Sequence, residues 1–108
     1  MKISKKLQLA RVKQDGLAIE WIDNPTKEIQ FAAVNQNGLA IKWIDNPSEE
    51  IQLAAVKKNE KAIKYISCSS EKLKLDVVKH NGNAIRWIKN PSEKLQIAAI
   101  NKIHPLSY

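Results

Sequence analysis

A single cysteine, Cys68, excludes an internal disulfide and is compatible with a reducing compartment, so a soluble cytoplasmic protein is the expectation. Histidine is scarce as well. His80 lies beside Lys79 and His104 near the C-terminus, neither has a second ligand in view, and no metal site is expected. Long apolar runs are missing: stretches such as 31–34 and 97–100 fall far short of the roughly 18 residues a membrane span requires. The N-terminal segment has the lysines of an export signal, but Gln8, Arg11 and Lys13 interrupt its apolar part, which argues against one. A glycine-rich phosphate loop, paired catalytic carboxylates and a Cys/His cluster are all lacking, so neither an enzyme nor a cofactor is expected.

What the chain does have is repetition. Copies of one 22-residue pattern begin at Leu7, Ile29, Ile51 and Leu73, and a fifth begins at Leu95 and is interrupted by His104-Pro105. A fixed period without insertion or deletion marks a stacked-repeat solenoid, in which each unit buries its apolar face only against its neighbours. The expected fold is all-α: a right-handed α-solenoid forming one domain over 1–108. It has four helix-turn-short-helix repeats (7–28, 29–50, 51–72, 73–94) and a partial capping repeat (95–108).

Within a copy, Asn24-Pro25, Asn46-Pro47 and Asn90-Pro91 offer Asn as helix N-cap and Pro as first helical residue. Glu49 and Glu93 complete capping boxes with Asn46 and Asn90, although Ser48 and Ser92 offer alternative caps. A helix of about eleven residues then runs to Gly16, Gly38 or Gly82, expected as left-handed closing residues. A short second segment follows, LAIEWI or LAIKWI, as α-helix or 3₁₀. Projected at 100° per residue, the long helix carries Ile29 and Ala33 on one flank and Phe31 and Val34 on the other, as a helix packed between two neighbours requires.

The phrase AAVNQNGLAIKWI, with NPSEEIQLAAV leading into the next copy, resembles the short helical repeat known as domain of unknown function 4116. Its layout is also similar to leucine-rich-repeat-variant and HEAT-like solenoids. The resemblance covers Leu7 to about Lys102; it implies a fold, and no catalytic residue is carried over with it.

Departures from the period concentrate in the third and fourth copies. Glu60 replaces the turn glycine, where a left-handed residue with a side chain would cost about 1–2 kcal/mol. Ser67-Cys68-Ser69-Ser70 replaces the Asp-Asn-Pro-Ser turn, and Asp76 interrupts a column of alanines. Arg11, in a column otherwise Ala or Val, suits a water-facing first repeat. The aromatic column Trp21, Trp43, Tyr65 and Trp87, flanked by isoleucines, is expected to pack in the core or between repeats.

Charge is unevenly placed. Outside residues 57–102 seven basic residues (Lys2, Lys5, Lys6, Arg11, Lys13, Lys27, Lys42) balance seven acidic ones (Asp15, Glu20, Asp23, Glu28, Asp45, Glu49, Glu50), so the net +7 resides between Lys57 and Lys102. Lys57, Lys61, Lys64, Lys79, Arg86 and Lys89 are the candidate binding residues, as steering and rim contacts. The leading expectation is a non-enzymatic protein–protein interaction module whose basic half docks an acidic protein or protein complex. Small size and an Ile-, Lys- and Asn-rich composition suit a phage or mobile-element product, and the sharper expectation is an inhibitor of a host defence complex. A nucleic-acid-binding HEAT-like solenoid is the alternative, and self-assembly into a homodimer through uncovered repeat ends is a third. The same lysines would also answer helix dipoles and keep the chain soluble.

Overall fold

The computed structural model of the protein describes residues 4–66 and 69–103, and alternates α- and 3₁₀-helices throughout. The order is α1 (Lys5–Gln14), η1 (Gly16–Trp21), α2 (Lys27–Gln36), η2 (Gly38–Trp43), α3 (Glu49–Lys58), η3 (Glu60–Tyr65), α4 (Glu71–His80), η4 (Gly82–Trp87) and α5 (Glu93–Ile103), where η denotes 3₁₀. Successive α-helices pack on one another, α1 to α4 each pack on the 3₁₀ helix that follows, and α2, α3 and α5 pack on the one that precedes, so residues 22 apart become neighbours in an elongated body of 62 × 21 × 17 Å. This is an all-α repeat solenoid. Among the described residues no strand occurs, and no helix is long and apolar enough to cross a membrane. The expected features at Ser67, Cys68 and His104-Pro105 lie outside the described residues.

The two-flanked apolar pattern of the long helices is what the stack uses. Ile29, Ile51, Leu73 and Leu95 form one buried column, Val12, Val34, Val56 and Val78 a second, and Ala33, Ala55, Val77 and Ala99 a third. Phe31 is half-buried against this core, and Arg11 in the alanine column of the first copy is exposed. Each fully buried Ile or Val contributes about 1.5–3 kcal/mol, which offsets the ordering of helices too short to stand alone.

Helix starts differ from the expectation. The caps are the hydroxyls of Ser4, Thr26, Ser48, Ser70 and Ser92, each accepting the amide three residues on at 3.1–3.3 Å. Asn24, Asn46 and Asn90 instead adopt left-handed φ of 46–48°, a conformation Asn tolerates better than most residues, and they turn the chain before the helix begins. Consequently the proline is outside the helix, and neither capping box with Glu49 or Glu93 forms. The proline carbonyl has its own use: Gln30, Gln52 and Gln96 donate their side-chain amides to Pro25, Pro47 and Pro91 O at 2.9–3.0 Å.

The glycines also act differently than expected. None has positive φ, and Glu60 is not left-handed either. Gly16, Gly38 and Gly82 open the 3₁₀ helices, where Asp15, Asn37, Asn59 and Asn81 serve as caps through Oδ1 at 3.0–3.1 Å. Glycine is needed there because the next α-helix presses its backbone against it. A Cβ on Gly82 would stand 2.7 Å from Ala99 O, and one on Gly16 or Gly38 would collide still harder with Ala33 O or Ala55 O. Glu60 carries such a Cβ, and Val77 replaces the facing alanine. As a result α4 lacks the close seat on η3 that α2, α3 and α5 have on η1, η2 and η4, and α3 and α4 are the least closely packed α pair. Across this opened seam Asn81 Nδ2 donates to Glu60 Oε2 at 2.6 Å.

Candidate interaction surface

The face built by the four 3₁₀ helices carries the aromatic column, in the open rather than in the core. Three residues per turn place i and i+3 over one another, so Ile41 and Ile44 share the buried side and the ring of Trp43 between them is directed away from it. Trp21 is 82% exposed, Trp43 41% and Tyr65 38%, while Trp87 is half-buried against the core. The expected packing in the core or between repeats therefore fails for Trp21, holds for Trp87, and leaves Trp43 and Tyr65 partly covered at the surface.

Cations lie between the rings. Lys42 Nζ is 5.2 Å from the centre of Trp43 and 5.8 Å from that of Tyr65; Lys64 Nζ is 5.7 Å from both Tyr65 and Trp87. Trp87 also receives Lys61 at 5.0 Å and Arg86 at 5.7 Å. Contacts of this kind contribute about 0.5–1 kcal/mol at exposed sites, enough to bias a long side chain toward the ring without neutralising it. The described salt bridge, Lys27 to Glu50 at 3.5 Å, is elsewhere.

Charge changes sign along this face. The first rung holds Glu20 and Asp23 beside Trp21, the second Lys42 and Asp45 beside Trp43, the third Lys64 beside Tyr65, and the fourth Arg86 and Lys89 beside Trp87. Between the third and fourth rungs a cleft of about 370 Å³ opens over Ile63, Ile66 and Ile88, walled by Tyr65 and Trp87 and edged by Lys64, Lys74 and Lys89.

Of the six candidate residues, Lys61, Lys64, Arg86 and Lys89 thus converge on the η3–η4 region. Lys57 and Lys79 do not join them. They line grooves between α-helices: Lys57 with Asn35 and Ala54, Lys79 with Leu75 and Ala98. Lys57 also edges a space of about 530 Å³ at the loosened α3–α4 contact, with Leu53, Glu60, Asp76 and His80. Asp76, the acidic interruption of the alanine column, is exposed there. Among the described residues no group of three or more His, Cys, Asp or Glu is placed to hold a metal ion.

Sequence reasoning missed Lys74 and Lys42 as site residues. Lys74 occupies the place of Gln30, Gln52 and Gln96, and Ser69 the place of Pro25, Pro47 and Pro91. That joint replacement was the available signal. No family model, curated protein or solved structure matches the chain, so no role for these residues comes from a relative.

Proposed function

We propose that the protein is a non-enzymatic interaction module that docks an acidic partner protein through the C-terminal half of its 3₁₀-helix face. The observation that carries this reading is the exposed column of rings and cations whose charge runs from acidic at Glu20 and Asp23 to basic at Arg86 and Lys89. Trp, Tyr and Arg at a solvent face are the residue types that anchor protein interfaces, and graded charge suits a partner of graded charge. Lysines at the basic end, which among the described residues form no salt bridge, would speed encounter with an acidic surface in a salt-dependent way.

A second reading, single-strand nucleic-acid binding, draws support from the exposure of Trp21, Trp43 and Tyr65, because bases stack on open rings. Two features weigh against it. The first rung would repel phosphates, and the ring of Trp87 is already engaged by Lys61, Lys64 and Arg86.

The test is capture of partners from the native host by the wild-type chain and by Lys64→Glu/Arg86→Glu, followed by reconstitution with the purified candidate across a salt series. Binding to a protein that is lost in the double variant and weakens with salt supports the module. An unchanged captured set defeats it, as does tight binding of single-stranded DNA or RNA with a steep salt slope.

A further inference from the structure

We infer that the cleft between η3 and η4 is the anchor point of the interface and receives an acidic side chain of an extended partner segment, with an adjoining apolar residue on its isoleucine floor. This rests on the docking role proposed above and specifies the chemistry at its basic end.

The cleft stands where the side-chain bond of the other copies is replaced. In the second, third and fifth copies the glutamine amide is tied to the preceding proline carbonyl. In the fourth copy both members of that pair are replaced, proline by Ser69 and glutamine by Lys74. Ser69 donates to Ile66 O at 3.4 Å, and the half-buried Lys74 is turned to the cleft edge. Lys89 completes the change, standing where the first two copies have Asp23 and Asp45. The replacements at positions 74 and 89 thus join Lys64, so that three lysines line one opening, and among the described residues no carboxylate lines it. Ammonium groups brought together without a counter-charge repel one another, and an incoming carboxylate relieves that repulsion. The apolar floor gives an aliphatic neighbour a place out of water, while the cations already lying over Tyr65 and Trp87 disfavour an aromatic base as occupant.

A Trp21→Phe/Trp43→Phe background makes Trp87 the sole tryptophan reporter. Its emission is titrated with a synthetic peptide, Gly-Ser-Leu-Glu-Glu-Leu-Gly-Ser, with the Gln-Gln counterpart, and with oligothymidylate. The Glu peptide is expected to saturate the signal at least ten-fold more tightly than the Gln peptide. Ser69→Pro/Lys74→Gln, which installs the residues of the other copies, and the exposed single change Lys89→Asp should each weaken it by ten-fold or more. Equal response to the two peptides, or undiminished binding in both variants, overturns the inference. So does saturation by oligothymidylate at lower concentration than by the Glu peptide. If the captured partner still binds Ser69→Pro/Lys74→Gln and Lys89→Asp as well as wild type, yet is lost in Lys64→Glu/Arg86→Glu, the cleft assignment falls while the docking role stands.

Discussion

The contact between the second and third copies and the contact between the third and fourth use the same secondary structure and the same period, yet one is tight and the other loosened. In the first, Gly38 lets Ala55 O come into contact with the opening turn of η2. In the second, Glu60 and Val77 hold α4 away from η3. Two side chains are enough to convert a packing contact into an opening, because a solenoid fixes its pitch one neighbour at a time. The same pair of copies also forms, on its 3₁₀-helix side, the cleft that Lys64, Lys74 and Lys89 line.

This contrast can be broken most forcefully from inside the core. Ile41→Ala, at a residue 1% exposed in the tight region, should fall in the upper part of the about 2–5 kcal/mol range for such truncations. Ile63→Ala should fall in the lower part, since looser surroundings can collapse around the void; urea unfolding of both checks the difference. Gly38→Glu should import the loosened geometry into the tight contact, at a cost of about 1–3 kcal/mol of overpacking. Amide exchange in η2 and α3 should then rise toward that of η3 and α4 in the unaltered chain. Cap removal should ignore the contrast: Ser48→Ala and Ser70→Ala should each cost about 1 kcal/mol by the same unfolding assay, because the cap bonds are alike at 3.3 and 3.1 Å. Smallest of all, Lys27→Gln should change stability by under about 0.5 kcal/mol, as its partner Glu50 is well exposed.

The architecture was legible in the sequence because a 22-residue period and a two-flanked helix leave few ways to bury the apolar residues. Local details were less so. Asn before Pro satisfies the composition rule for a helix cap and equally that for a left-handed turn, and only the position of Ser48 or Ser92 two residues later, with its hydroxyl over the third amide, decides between them. The exposure of the tryptophans was hidden for a related reason. A ring between isoleucines reads as core at helical or strand spacing, but with three residues per turn Ile41 and Ile44 close ranks and leave Trp43 outside. Glycine was misassigned because its lack of a side chain matters here for a neighbour's carbonyl rather than for its own φ. The gathering of Lys61, Lys64, Arg86 and Lys89 was foreseeable from their columns, whereas the separation of Lys57 and Lys79 depends on which helix layer each column belongs to.

The turn glycines and the cleft lysines sit at different positions of the repeat, 16, 38 and 82 against 64, 74 and 89. Pitch and chemistry are therefore set by separate loci. A substitution in the cleft therefore changes local charge without touching the close helix seats at Gly16, Gly38 and Gly82, and a substitution at those glycines shifts the stack without altering the lysines.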